Sequence, residues 1–261
     1  MSDRIADAFR SHGKRAALMP YVMGGFPSIE GSRAAGEACA RGGADLLELG
    51  IPFSDPLADG PTIQEAATHA LAAGATPEAV LGVCESLSEL LPVALMVYVN
   101  VILAAGAEAF VERAAGAGAA GLIVPDLPHD ESSELRSACD ARGLALVPLA
   151  APTTTPERLE AIGRDARGFV YAVSVTGTTG ERAELAPDLA GFVAAVRRVA
   201  SVPVAVGFGI STPEQAALVA EHADGVIVGS RIVRASAEGP AATGAVVEEL
   251  ARGLAVPAAG R

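Results

Sequence analysis

Short, uninterrupted apolar runs punctuate this chain, each followed by a glycine or proline turn and then a stretch that reads as helix. Eight runs stand out, at residues 17–23, 46–49, 93–99, 121–124, 145–149, 169–173, 202–206 and 225–228. They are continuous rather than alternating, the pattern of strands buried on both faces of a parallel sheet. Thr-Pro-Glu recurs at Thr76–Glu78, Thr155–Glu157 and Thr212–Glu214. Each copy offers an N-cap hydroxyl, a proline at the first helical position and an acid near the positive helix end. The approaches to the strands repeat as well, in Gly43-Ala44-Asp45-Leu46, Gly118-Ala119-Ala120-Gly121 and Ala223-Asp224-Gly225-Val226. Small residues there predict a helix end that turns straight into a strand.

Eight such units most simply close into a (β/α)₈ barrel of the TIM type; a doubly wound open sheet has the same element order. The chain's 261 residues suit one barrel, and no linker or low-complexity tract divides them, so a single domain over 1–261 is expected. The second and third runs start far apart, at Leu46 and Val93, as do the sixth and seventh, at Phe169 and Val202. The surplus predicts extended βα loops 2 and 6, on the face where barrels keep their active sites.

Composition narrows the function classes. With 19 Lys+Arg against 31 Asp+Glu the net charge is −12, and there is no Trp, so nucleic acid is a poor partner. Eighteen of the basic residues are Arg; Lys14 is the one lysine available to a Schiff-base mechanism. Three cysteines leave one unpaired in any scheme, and the charged N-terminal stretch lacks a signal-peptide core; both favour a reduced, cytoplasmic protein. Residues 90–107 carry no charge, but Pro92, Asn100 and Gly106 and the β-branched centre favour a buried strand over a membrane span. His12, His69, His129 and His222 are scattered without zinc spacing, so no metal is expected.

The candidate chemistry clusters after the runs. Gly177-Thr178-Thr179-Gly180 follows the sixth, Val206-Gly207-Phe208-Gly209-Ile210-Ser211 ends and follows the seventh, and Val228-Gly229-Ser230 ends and follows the eighth. Singly these glycines make turns; together they predict a phosphate site, with backbone N–H groups offered at a helix start. Glu48 lies inside the second run, where an unpaired carboxylate is costly. It is either half of a structural ion pair or a general acid/base with a raised pKa. Asp55 and Asp59 follow; either could be a turn former, and one could complete a carboxylate pair. The chain's three tyrosines, Tyr21, Tyr98 and Tyr171, fall in or beside strands 1, 3 and 6, with Phe208 past strand 7. They are either core filling or the walls of a site for a flat apolar ligand.

The stretch Leu46-Leu47-Glu48-Leu49-Gly50-Ile51-Pro52-Phe53-Ser54-Asp55-Pro56-Leu57-Ala58-Asp59-Gly60-Pro61, with Gly207-Phe208-Gly209-Ile210-Ser211, resembles the tryptophan synthase alpha subunit family, and the likeness extends over essentially the whole chain. The first motif is long and specific; the glycine motifs are shared with other phosphate-binding barrels. The resemblance implies a lyase that splits indole-3-glycerol phosphate into indole and glyceraldehyde 3-phosphate by a retro-aldol reaction. It also implies an alpha2-beta2 heterotetramer whose beta subunit carries pyridoxal phosphate and receives indole through a tunnel, with no cofactor in this chain. By this likeness Glu48 is the acid/base acting at indole C3 and the glycerol hydroxyl, Asp59 stabilises the indole N–H, and Tyr171 stands beside them. Tyr21, Met96, Tyr98, Asn100 and Phe208 would surround the indole, Gly180, Gly209, Gly229 and Ser230 would hold phosphate, and Asp55 would touch the beta partner. Val175, Thr178 and Met23 depart from the family pattern around loop 6 and strand 1.

Two other readings belong to different classes: a stand-alone lyase that releases free indole, and a non-catalytic subunit that binds a phosphorylated ligand and activates a partner. Barrels that rely on catalytic lysines fail on the lysine count. Barrels with aspartates after strands 1 and 5 do not fit Met23-Gly24-Gly25 and Ala150-Ala151-Pro152.

Overall fold

Every strand is parallel to its neighbours in the computed structural model, which describes residues 4–173, 188–207 and 209–256. In chain order they are β1 (Ala17–Met23), β2 (Leu47–Gly50), β3 (Val93–Met96), β4 (Gly121–Ile123), β5 (Ala145–Val147), β6 (Leu149–Ala150), β7 (Val170–Val173), β8 (Val204–Gly207) and β9 (Gly225–Val228). The sheet runs β5-β4-β3-β2-β1-β9-β8-β7-β6. Its two ends are consecutive in the chain, joined only through Pro148, so the sheet curls into a (β/α)₈ barrel and the open-sheet alternative falls. The expected fifth strand is thus one strand shared in two halves. Pro148 has no N–H for the ladder, so β5 bonds to β4 and β6 to β7, while the Pro148 carbonyl accepts the Tyr171 N–H at 2.9 Å.

Helices follow the strands: α1 (Arg4–Ser11) precedes β1, and α2 (Ile29–Arg41), α3 (Pro61–Ala72), α4 (Pro77–Ser88), α5 (Val99–Ala105), α6 (Ala107–Gly116) and α7 (Ser133–Arg142) wrap the first half. The second half carries α8 (Pro156–Asp165), α9 (Leu189–Val199), α10 (Pro213–Val219), α11 (Ser230–Glu238) and α12 (Pro240–Gly253). All three Thr-Pro-Glu starts form caps: Thr76, Thr155 and Thr212 accept from the N–H groups of Ala79, Arg158 and Gln215, and Thr212 with Gln215 completes a capping box.

The long interval after the second strand holds an extended βα loop, residues 51–60, followed by two helices, α3 and α4. One expectation needs correction. The third strand stops at Met96 rather than Val99, because Asp126 Oδ1 accepts the Val99 N–H at 2.9 Å and starts α5 there. The expected extension of loop 6 falls in 174–187, outside the described residues. No helix among the described residues is long and apolar enough to cross a membrane; the uncharged 90–107 stretch divides into β3 and α5.

Alternation along each strand sorts side chains into two apolar layers. Leu18, Val22, Leu47, Leu49, Val93 and Leu95 pack outward against the helices. Met19, Tyr21, Leu46, Ala94, Met96, Ile123, Phe169 and Tyr171 fill the barrel, with Ile5 and Phe9 of α1 packed beneath them. Each fully buried large side chain contributes roughly 1.5–3 kcal/mol. Glu48 lies between Leu47 and Leu49 and so belongs to the inward set.

Candidate active site

The barrel mouth brings two carboxylates from different elements together. Glu48, on β2, stands in register with Tyr21 of β1 and Ala94 of β3 and is 1% exposed. Asp59 closes the loop after β2, immediately before Gly60 and Pro61 start α3, and is 2% exposed. Glu48 Oε1 and Asp59 Oδ1 are both buried without a hydrogen-bond partner among the described residues. No ion pair to Glu48 occurs among the described residues, and a buried carboxylate without one needs another explanation.

Electrostatics separates the pair. Burial, aided by the charge of Asp59, pushes the Glu48 carboxyl up to about 8. Burial also lifts Asp59, to about 6, but a hydrogen bond from Tyr98 opposes the rise. At neutral pH the favoured state has Glu48 protonated and Asp59 ionised, an acid beside an anion.

All three tyrosines face this pair. Burial and the two carboxylate charges hold the Tyr21 and Tyr171 phenols well above their ordinary value, so both stay neutral. Gly50 and Gly207 give these rings their room. A Cβ at Gly50 would overlap the Tyr21 hydroxyl, and one at Gly207 would overlap that of Tyr171. Gly207 thus serves the tyrosine as well as the turn, a role the sequence did not signal. The Tyr98 ring stacks on Phe53 at 5.2 Å, and its hydroxyl accepts the Ala58 N–H at 3.1 Å.

Across the mouth, Gly209 adopts φ +84°, and Gly229 stands at the N-cap of α11 with the buried Ser230 opening the helix. The first-turn N–H groups of this nine-residue helix offer an anion a positive end. Beside β4 and β5 lies a cavity of about 530 Å³, bounded by Ala58, Val124, Leu149 and Val173 and continuing to His129 and Arg136. His129 Nε2 lies 3.3 Å from Asp165, which Arg136 also approaches at 3.4 Å. No cluster of three His, Cys, Asp or Glu suited to a metal occurs among the described residues.

The family model of the tryptophan synthase alpha chain matches residues 8–255. The chain belongs to the tryptophan synthase alpha chain family. Among its relatives, the tryptophan synthase alpha chain of Gloeobacter violaceus is 52% identical over 236 residues, covering 88% of this chain and 86% of that one. That of Carboxydothermus hydrogenoformans is 49% identical, with 88% of each covered. A solved chain of Mycobacterium tuberculosis tryptophan synthase superposes with a TM-score of 0.91 at 39% identity, over 98% of this chain and 100% of that one. The alpha subunit from Legionella pneumophila gives a TM-score of 0.88 at 35% identity, covering 97% and 99%.

The expected site residues fall in different places. Glu48, Asp59, Tyr21, Tyr98 and Tyr171 converge, and Met96 is buried at the end of β3. Asp55 is exposed, accepting from the Ser54 hydroxyl at 2.6 Å, and Leu57 beside it is 83% exposed. Asn100 does not join the carboxylates: as the second residue of α5 it is exposed and borders a surface depression with Phe53, Val101 and Arg113. Its placement follows from the early end of β3. Gly180 and Phe208 lie outside the described residues, as do Val175 and Thr178. Met23 is buried at the end of β1.

Proposed function

We propose that this chain cleaves indole-3-glycerol phosphate to indole and glyceraldehyde 3-phosphate, as the alpha subunit of an alpha2-beta2 tryptophan synthase in the cytoplasm. The observation that carries the reading is the buried pair of carboxylates, each with one oxygen that no described residue answers, one favouring the acid form and the other the anion, in a member of this family. Glu48 gives its proton to indole C3, which makes the ring a cationic indolenine and therefore an electron sink. Asp59 Oδ1 accepts from the ring N–H and stabilises that charge in a site of low dielectric. Glu48, now a carboxylate, takes the proton of the hydroxyl on the carbon attached to C3. The O–H electrons form the aldehyde, the C–C bond breaks, and its electrons return to the ring. Glu48 ends protonated, so the acid is regenerated.

Neutral Tyr21 and Tyr171 wall the indole without adding charge, with Met96 and Phe208 completing the apolar lining. Gly180, Gly209, Gly229 and Ser230 hold the phosphate and anchor the reacting end. Exposed Asp55 faces the beta partner, whose pyridoxal phosphate chemistry consumes indole; this chain needs no cofactor. Lys14 takes no part, since its Nζ donates to Gly43 O and Asp45 at the start of β2, the opposite end of the strand from the site.

Indole release from indole-3-glycerol phosphate, measured with and without a beta subunit, tests the reading. Slow turnover alone and strong stimulation by the partner are expected. Fast turnover indifferent to the partner makes the chain a free-standing lyase, and absence of turnover in both overturns the assignment of Glu48 and Asp59.

A further inference from the structure

We infer that Tyr98 is a positioning residue whose hydroxyl holds Asp59 as an anionic acceptor and fastens the loop of residues 51–60 to the barrel mouth. The inference rests on the reading of the site given above and deepens it.

Tyr98 occupies the N-cap position of α5, and its backbone is fixed where Asp126 Oδ1 accepts the next residue's N–H. Its ring is held against Phe53, near the start of the loop, with the planes 24° apart. Its hydroxyl meets the far end of the same loop, accepting the Ala58 N–H at 3.1 Å, one residue before Asp59, whose carboxyl it holds down as a hydrogen-bond donor does. A phenol has a single proton. Because the amide can only donate, that proton is left for the Asp59 carboxylate. A donor committed to the carboxylate favours its charged form, and Asp59 Oδ1 stays open for a donor on the substrate.

The arrangement answers a specific problem. Burial alone raises both carboxyls, and two acids of similar strength would leave the pair without a division of labour. Among the described residues, Glu48 of β2, Tyr21 of β1 and Tyr171 of β7 are the other ionisable groups around Asp59, and none of them carries a positive charge. From α3 the neighbour is Gln64, whose amide donates to the Asp59 backbone carbonyl at 2.8 Å rather than to the carboxylate. Among the described residues Tyr98 is the contact that lowers Asp59, which leaves Glu48 as the proton carrier.

Tyr98→Phe keeps the ring and its stacking and removes only the hydroxyl. The titration of Asp59 would be followed by carboxyl ¹³C NMR in the wild-type chain and Y98F, with D59N supplying the assignment. The pH profile of indole release would be recorded with the beta subunit present. The Asp59 midpoint should rise by about one unit in Y98F, the scale of one hydrogen bond to a charged group, and the acid limb of the rate profile should rise with it. At pH 6 kcat should fall up to about tenfold, and the deficit should shrink as pH increases. An unchanged Asp59 midpoint overturns the proposal, as does a rate loss that is uniform across pH. Should the wild-type chain release no indole, the functional reading fails, while the NMR midpoint still decides whether Tyr98 sets the charge of Asp59.

Discussion

The two ends of the barrel treat their carboxylates in opposite ways. At the strand starts, Asp45 and Asp224 are surrounded by donors. Asp45 accepts the Leu18 N–H at 2.7 Å and lies 2.8 Å from Lys14 Nζ; Asp224 accepts the Val204 N–H at 2.9 Å and lies 3.0 Å from Arg197. These contacts tie each strand start to its neighbour, and they consume the one lysine. At the strand ends, Glu48 and Asp59 are more deeply buried, and each keeps an oxygen without a partner. Acids at the first end are answered by the protein, whereas each of those at the second keeps an oxygen that no described residue answers. The same residue class therefore stabilises at one end and carries stored cost at the other.

The widest separation between the ends should come from Glu48→Gln. Loss of the proton carrier should lower kcat by about 10²–10⁴-fold while substrate still binds. A non-catalytic activator would instead keep its effect on the partner. The same change should stabilise the ligand-free protein above neutrality. With the Glu48 pKa raised from 4.5 to about 8, the folded state binds more protons than the unfolded state between those values, so stability falls as pH rises through that window. Thermal unfolding should show E48Q gaining on wild type from pH 5 to pH 8, by roughly 2–3 kcal/mol at the upper end. Equal pH slopes for both proteins would remove the argument that Glu48 is held protonated.

Gly207→Ala should come next. Its methyl would overlap the Tyr171 hydroxyl and displace the ring beside the carboxylates. About a 10–100-fold loss of kcat/KM is expected from misplacement of this order, with a stability cost of about 1–3 kcal/mol. Normal turnover in G207A would show that Tyr171 need not hold its place.

Asp45→Ala sharpens the contrast from the other side. Lys14 and the Leu18 N–H would lose their shared acceptor, at a cost of about 2–3 kcal/mol in denaturant unfolding. Turnover of the folded enzyme should be unchanged, because Asp45 precedes β2 and the chemistry follows it. A large kcat defect in D45A would show that the two ends are coupled.

Much of this was readable in the order of residues. Continuous apolar runs located the strands, and each Thr-Pro-Glu produced a cap, because both signals act within a few residues. Glu48 also declared itself, as a charge inside an apolar run. Other features escaped. Pro148 divides a strand that composition alone makes whole, and its effect depends on which neighbours pair on each side. Asn100 was grouped with the indole pocket, but the side chain of Asp126, 26 residues later, ends β3 and sends Asn100 to the surface. The roles of Gly50 and Gly207 were hidden because the tyrosines they admit come from other strands.

Local rules thus determined the elements, their order and the barrel as the simplest closure, and they singled out Glu48; Asp59 was told from Asp55 only by the family likeness. Tertiary structure decided which acids keep an oxygen that no described residue answers and which glycines admit a ring. The division has one physical cause. Helix caps and apolar runs depend on chain neighbours, while the state of a buried acid depends on the donors and the dielectric that distant segments bring around it.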